Sequence, residues 1–217
     1  MGVLAEIFSD ALHVIGMGEV KHPVFYNAPI GIRFEIGGNE SVYLNSGNSD
    51  ECTVNQAYIF ASLNRAKTIY ENLPHSPNIL RIDRYLEDEN TVQDIISSVC
   101  KVTEMPLPHE QTLVPFQWDE DDEIILQLQL YWDLKRIVFS PDKLLKEIIK
   151  ADIGGHSMLV SNVYFMNAYD FVLFHLYDDR GADLVAADKD LLRPIFERFN
   201  KWILDYDREQ INKTFAK

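Results

Sequence analysis

The strongest constraint on the fold of this chain is a two-residue alternation between positions 124 and 133, which only Ile125 interrupts. Apolar side chains occupy every second position, namely Ile124, Leu126, Leu128, Leu130 and Trp132. The positions between them hold Gln127, Gln129, Tyr131 and Asp133. Successive side chains of a β-strand point to opposite faces of its sheet, so this pattern predicts a strand with one apolar and one polar face.

Helical and strand patterns are intermixed along the rest of the chain. Helices are predicted over 4–15 and, after a Thr53–Gln56 capping box, over 53–73. Further strands are predicted at 30–36, 78–85, 111–116, 163–165, 171–177 and 184–186. Leu191 to Tyr206 has one broad apolar face and predicts a single helix with Pro194 near its start.

These elements predict the α+β class in a single domain that spans residues 1–217. We expect a mixed, largely antiparallel sheet packed by helices and ending in a long C-terminal amphipathic helix. Antiparallel pairing is favoured because several strands follow one another with only short turns between them.

The charge balance is strongly acidic. The 34 Asp and Glu residues outnumber the 20 Lys and Arg residues, which gives a formal net charge of −14. Such a field repels phosphate backbones, so nucleic-acid binding is disfavoured. It attracts basic partners, although net charge also serves simply to keep a protein in solution.

The sequence favours a cytoplasmic protein. Its two cysteines, Cys52 and Cys100, do not form a metal-binding or disulfide pattern. The first sixteen residues contain Glu6 and Asp10 but no Lys or Arg, so a signal peptide is not predicted. No apolar run approaches the length of a membrane span, and no membrane association is expected.

Motifs of common enzyme classes are incomplete. Residues 16–18 start like a dinucleotide-binding loop, but Lys21 stands where the last glycine belongs. Residues 155–159 start like a nucleophile elbow but end in Leu159 instead of glycine. The six histidines include no pair at metal-ligand spacing. The sequence therefore predicts no catalytic residues and no cofactor.

A run of five carboxylates is the sharpest compositional feature: Asp119, Glu120, Asp121, Asp122 and Glu123. It lies within residues 102–134, which contain eight Asp or Glu and no Lys or Arg. Without a glycine at the bend, the run is not a calcium-binding loop. Two interpretations stay open, a solvated turn between strands and a docking site for a basic partner protein.

The segment Asp178-Asp179-Arg180-Gly181 lies between two apolar strands and predicts a hairpin turn. In this interpretation Gly181 supplies a positive φ and an Asp side chain binds nearby backbone amides. Arg180 has Asp178, Asp183 and Glu209 as candidate partners. Alternatively, Asp178, Asp179 and Asp183 converge on a divalent cation.

His175 lies on the strand before this turn and also has two interpretations. It alternates with Phe171, Leu173 and Tyr177 on one strand face. Near the turn carboxylates it would be a candidate general base. The favoured interpretation is a structural histidine whose ring is hydrogen-bonded within the fold.

The C-terminal stretch FHLYDDRGADLVAADKDLLRPIFERFNKWILDYDREQI resembles the signature of a bacterial family known as a domain of unknown function. That signature, within about 160–210 here, has a YDDRG-x-D stretch, a strand, and a helix ending in WILDYDRE. The N-terminal segment YNAPIGIRFEIG is similar to an early segment of the same family. The resemblance implies a cytoplasmic bacterial protein and brings no activity, substrate or catalytic residue.

Three functions fit these observations. The first is a non-enzymatic binding protein, such as an immunity or inhibitor protein that neutralises a basic toxin. The second is a metal-dependent hydrolase that uses Asp178, Asp179, Asp183 and His175. The third is a regulatory or structural module. The incomplete enzyme motifs and the acidic run favour the first, and the sequence defines no oligomeric state.

Overall fold

The computed structural model describes residues 2–38, 40–44, 53–117, 121–153, 157, 159 and 161–216. The strands in these ranges are β1 (Gly31–Glu35), β2 (Tyr43–Leu44), β3 (Thr53–Val54), β4 (Ile79–Leu86), β5 (Glu110–Phe116), β6 (Ile125–Asp133), β7 (Asn162–Asn167), β8 (Val172–Leu176) and β9 (Gly181–Ala186). The α-helices are α1 (Val3–Ile15), α2 (Val24–Asn27), α3 (Gln56–Glu71), α4 (Val92–Thr103), α5 (Pro141–Ala151), α6 (Lys189–Arg198) and α7 (Arg208–Phe215). Short 3-10 turns occupy Glu89–Thr91, Asn200–Trp202 and Asp205–Asp207.

Seven strands form one antiparallel sheet in the order β1-β9-β8-β7-β4-β6-β5. The apolar face of this sheet packs against α3 to α7 in a core that contains Phe34, Ile82, Trp132 and Phe174. Helix α1 covers part of the opposite face through Phe8 and its apolar neighbours. The predicted α+β class with a largely antiparallel sheet is confirmed.

The alternation that predicted β6 correctly assigns its side chains to two opposite faces. Both faces are buried over much of the strand. Leu128, Leu130 and Trp132 lie in the main core. On the other side, Gln127 is 6% exposed and Tyr131 is 2% exposed. The polar face of this strand is therefore covered, and its polar groups need partners inside the protein.

A row of polar residues crosses all seven strands on the face that α1 covers. In sheet order the paired positions are Arg33, Asp183, His175, Tyr164, Arg81, Tyr131 and Glu110. In this row Arg81 donates from Nε and Nη2 to the two carboxylate oxygens of Asp83, at 2.7 Å each. Both side chains are buried, so this two-pronged contact neutralises a charge that would otherwise be isolated from water.

Glu110, the last member of the row, holds the N-terminus of α1. Its carboxylate accepts hydrogen bonds from the backbone N–H groups of Leu4 at 2.8 Å and Ala5 at 3.1 Å. These N–H groups have no partner within a helix, and a negative charge also offsets the helix dipole there. A Cβ at Gly2 would lie 2.0 Å from the Glu110 carboxyl carbon, so a side chain at position 2 would displace this carboxylate from the helix N-terminus.

Helix α3 begins later than its sequence pattern predicted. Its N-cap is Asn55, whose side chain accepts a hydrogen bond from the Ala57 N–H at 3.0 Å. Thr53 instead belongs to β3, where it pairs with Leu44. The predicted Thr53–Gln56 capping box was wrong because pairing with β2 holds Thr53 in an extended conformation.

The chain ends in helices as expected, but the single helix predicted for 191–206 is interrupted. Two 3-10 turns separate α6 from α7, and Pro194 lies in the interior of α6 rather than near its start. Between these turns the Leu204 N–H donates to the Arg33 carbonyl at 2.9 Å, and Ile203 bridges to Phe34. Strand β1 is a sheet edge, and the helix breaks where the chain supplies a partner to that edge.

Removing one member of the Arg81–Asp83 pair is expected to destabilise the protein more than removing both. Asp83→Leu should lower the free energy of unfolding by about 3–5 kcal/mol, because it leaves the Arg81 guanidinium buried and unpaired. Adding Arg81→Met should recover most of that loss. Urea denaturation of the three proteins measures both effects, and a double variant no more stable than Asp83→Leu would contradict this assignment.

Candidate functional site

The segment from Asp178 to Gly181 is a tight turn closed by its own side chains. Asp178 Oδ1 accepts hydrogen bonds from the backbone N–H groups of Arg180 at 2.7 Å and Gly181 at 3.0 Å. Asp178 Oδ2 accepts a hydrogen bond from Arg180 Nε at 2.8 Å. Both oxygens of this carboxylate therefore stabilise the connection between β8 and β9.

Gly181 is required by a neighbouring side chain and not by its backbone conformation. The positive φ predicted for it was wrong, since Gly16 is the glycine with positive φ among the described residues. Instead, the phenol of Tyr177 lies against the Gly181 backbone. A Cβ at position 181 would lie 1.8 Å from the Tyr177 hydroxyl oxygen.

The carboxylates that the turn brings together are Asp152, Asp178 and Asp179. One oxygen from each lies within 4.8 Å of the others. The Tyr58 hydroxyl donates to Asp179, and the Arg180 guanidinium contacts both Asp178 and Asp152. Burial raises the pKa of Asp179 above its ordinary value. The group differs from the predicted set because it contains Asp152 in place of Asp183.

Asp183 belongs to a second buried group, which joins distant parts of the chain. Its Oδ1 lies 3.3 Å from Arg33 Nε, and its Oδ2 accepts a hydrogen bond from the Phe25 N–H at 3.0 Å. Arg33 Nε also donates to the Tyr177 hydroxyl at 3.2 Å, and Arg33 Nη1 lies 3.8 Å from Asp207 Oδ2. Burial raises the pKa of Asp183 to about 6. These contacts tie β1, β9 and the C-terminal segment together.

His175 is a fully buried member of the polar row. Its Nδ1 donates to the Val163 carbonyl at 2.9 Å, while its Nε2 has no hydrogen-bond partner in the described part of the chain. The His175 ring stacks on Tyr164 and lies 4.9 Å from the ring of His22. Burial lowers the pKa of His175 to about 3 and that of His22 to about 4. A pKa of about 3 makes His175 a weak proton acceptor near pH 7, and its ring is fully buried, so it suits a structural role better than that of a general base.

The described part of the acidic run lies at the end of the sheet where β6 begins. Asp121, Asp122 and Glu123 are exposed there. Asp119 and Glu120, predicted as part of the same docking site, lie outside the described residues.

A second acidic loop, which the sequence pattern did not reveal, lies at the same end of the sheet. Strand β4 ends beside the start of β6, since Leu86 pairs with Leu126. The next three residues, Glu87, Asp88 and Glu89, are exposed. We call these three and the exposed Asp121, Asp122 and Glu123 the acidic edge. The two loops are more than thirty positions apart in the sequence, and only the strand pairing brings them together.

A groove of about 450 Å³ lies at the base of the acidic edge. Tyr85, near the end of β4, and Phe116, at the end of β5, form an aromatic pair with ring centroids 4.8 Å apart. The groove is also lined by Pro115, His22, Glu19 and Lys21. We call this the aromatic groove. Glu19 and Lys21 form an exposed ion pair of 3.0 Å at its side.

The candidate residues differ in how far the protein itself engages them. The carboxylates of the Asp178 turn are engaged by Arg180, Tyr58 and backbone amides, and the buried His175 is held elsewhere by Val163. The carboxylates of the acidic edge, in contrast, are exposed, and the partly buried Tyr85 and Phe116 line the groove beside them. None of the helices in the described ranges is both long and apolar enough to cross a membrane.

Gly181→Ala is expected to destabilise the protein by about 1–3 kcal/mol, because the added methyl group overlaps Tyr177. The same substitution in a Tyr177→Leu background should cost less, since the ring that blocks it is gone. A double-mutant cycle by urea denaturation measures the difference. Equal costs in the two backgrounds would show that Tyr177 is not the reason for glycine at this position.

The buried histidine makes stability depend on pH. An unfolded histidine has a pKa near 6.5, whereas folding lowers the pKa of His175 to about 3. Between these values the unfolded chain binds the extra proton, so acidification destabilises the fold. Unfolding free energies measured from pH 7 to 4 should therefore fall less steeply for His175→Phe than for the unsubstituted protein. Asp183 has a raised pKa, which makes acidification stabilising, but this residue is present in both proteins and its effect cancels in the comparison. Parallel curves of unfolding free energy against pH for the two proteins would contradict the prediction.

Comparison with known proteins identifies the family. A family model described as Domain of unknown function (DUF3885) matches residues 8–207. A relative, "Uncharacterized protein YnaE" of Bacillus subtilis (strain 168), is 35% identical over 57 residues, which are 26% of this chain and 27% of that protein. No solved structure is significantly similar. Because the family model matches most of its length, the chain belongs to the family described as Domain of unknown function (DUF3885).

Proposed function

We propose that this protein is a non-enzymatic binding protein that docks a basic partner protein on its acidic edge. The observation that carries the proposal is the pairing of β4 with β6, which joins two separate acidic loops into one surface. The described loop residues 87–91 and 121–124 contain six exposed carboxylates and no Lys or Arg. The basic residue nearest to Glu87 along the chain is Arg84, which is half-buried on β4.

The physical role of such a surface is to attract and orient an oppositely charged protein. Like charges in adjoining loops add their fields, and the net charge of −14 strengthens the attraction at longer range. Charge complementarity raises association rates and selects partners, and it acts most strongly at low salt. Asp88 remains ionised, since its hydrogen bonds with Asn90 lower the pKa of its carboxyl group.

Within this proposal the protein acts as an inhibitor or immunity protein. A protein that covers the cationic surface of a basic toxin, such as a nuclease, blocks access of the anionic substrate without any chemistry of its own. A cytosolic location, expected from the sequence, goes with this role.

A metal-dependent hydrolase is the second candidate, and the group formed by Asp152, Asp178 and Asp179 is the observation in its favour. The existing contacts of these carboxylates with Arg180 and Tyr58 weigh against it, because a cation would have to compete with them. Calorimetric titration with Mg²⁺, Mn²⁺ or Ca²⁺ separates the two functions. Millimolar or tighter binding that is lost in Asp179→Asn would favour the hydrolase.

Neutralising part of the acidic edge should abolish capture of the basic partner. The test variant combines Glu87→Gln, Asp121→Asn and Glu123→Gln, and leaves Asp88 in place because it caps the turn at Asn90. The immobilised protein is exposed to a lysate of its own cells at low salt, and bound proteins are eluted with a salt gradient and identified. We expect the unsubstituted protein to retain a basic protein that moderate salt releases, and the variant to retain at least tenfold less.

A matched control separates local from overall charge. Glu6→Gln, Asp10→Asn and Glu197→Gln remove the same amount of negative charge from exposed positions on α1 and α6. This control should retain the partner as the unsubstituted protein does. Equal loss in both variants, or retention that salt does not affect, would refute docking on the acidic edge.

A further inference from the structure

The aromatic groove lies next to the acidic edge. Tyr85 is two residues before Glu87 along the chain, and Phe116 is the last residue of β5. The groove between them therefore opens at the base of both loops. Its volume of about 450 Å³ is within the range of sites that hold a side chain or a small ligand.

We infer that the aromatic groove binds an arginine side chain of the basic partner, which lies against the Tyr85–Phe116 pair while neighbouring basic residues contact the acidic edge. The inference rests on the proposed function and names the anchor by which the partner is recognised. Interfaces commonly concentrate their binding energy in one such anchor set in a pocket and surrounded by weaker contacts.

The groove suits a guanidinium group for two reasons. Aromatic faces attract cations through the negative charge of their π-systems, and the planar guanidinium group stacks on them more readily than a compact, strongly hydrated ammonium group. The field of the acidic edge also favours a cation over an uncharged side chain at this place. An apolar side chain bound in the groove would be stabilised by the aromatic contact alone and not by the carboxylates.

The fold uses the same contact twice in its own interior. The Arg33 guanidinium carbon lies 5.2 Å from the ring centroids of both Tyr26 and Tyr177. The Arg81 guanidinium carbon lies 5.2 Å from the ring of Phe8. Arginine beside paired aromatic rings is therefore a contact that this sheet already accommodates on the same face.

The charges that belong to the groove do not oppose a bound cation. Lys21 is the basic residue at its side, and the carboxylate of Glu19 offsets its charge at 3.0 Å. His22 is neutral near pH 7, because burial lowers its pKa to about 4. The acidic edge then determines the sign of the charge that the groove attracts.

Three peptides that differ only at the centre test this assignment. Each has four lysines on either side of a central Arg, Lys or Phe, and a fluorescent label allows binding to be followed by anisotropy at low salt. We expect the peptide with Arg to bind about threefold or more tightly than the peptide with Lys. Equal affinities, or tightest binding by the Phe peptide, would overturn the inference.

Substitutions of Phe116 locate the effect. Phe116→Leu should remove the preference for Arg, since an aliphatic side chain has no π-face. Phe116→Trp should keep or increase it, because tryptophan binds cations best among aromatic residues. Thermal unfolding shows whether each variant is folded, and the Trp variant tests the assignment if the Leu variant is not. A preference unchanged by Phe116→Leu, or lost in a folded Phe116→Trp, would overturn the inference.

Failure of this inference is distinguishable from failure of the proposed function. The variant with Glu87, Asp121 and Glu123 neutralised should weaken binding of all three peptides by at least severalfold. If it does so while Arg and Lys peptides bind equally, the acidic edge binds basic chains and the groove is not their anchor. If it has no effect on any peptide, both proposals are refuted.

Discussion

The buried Arg81–Asp83 pair is the contact on which much of this structure depends. Burial raises the pKa of Asp83, and the two-pronged contact with Arg81 offsets the cost of an ionised carboxylate there. Gln127 donates to the same carboxylate at 3.1 Å, so the pair also links β4 to β6. A shift of one residue in this pairing would turn Gln127 to the opposite face and remove its hydrogen bond to Asp83. The network therefore stabilises the register that brings the two acidic loops together.

Most of the polar residues that the sequence offers as catalytic or metal-binding candidates make contacts that stabilise the sheet. Arg33 and Asp183 join β1 to β9, and Arg33 reaches Asp207 in the C-terminal segment. Asp178 closes a hairpin, and His175 donates a hydrogen bond to a neighbouring strand. These segments include the ones that carry the family resemblance. These contacts explain why charged and polar residues occur in these segments, and the explanation does not depend on catalysis.

Local patterns in the sequence predicted the seven strands of the main sheet and the class of the fold, but not the short β3 strand or the contacts between distant segments. The alternation in β6 was sufficient for a strand, because its period of two is a local property. It did not show that α1 covers the polar side, since that depends on Glu110 accepting hydrogen bonds from α1. The break in the C-terminal helix depends on the Arg33 carbonyl at a distant sheet edge. Likewise, half of the acidic edge was missed because Glu87 is near Asp121 only through strand pairing.

The position of the acidic edge follows from the same constraint. Carboxylates can be gathered in number only where water solvates them, and the loops at the ends of strands are such a place. Because the pairing of β4 with β6 beneath them fixes the two strands, the loops are held side by side without having to stabilise each other. The Tyr85–Phe116 pair lies where this fixed interior meets the loops. A partner that places a cation there gains from the aromatic faces and from the carboxylates together, which neither loop would offer alone.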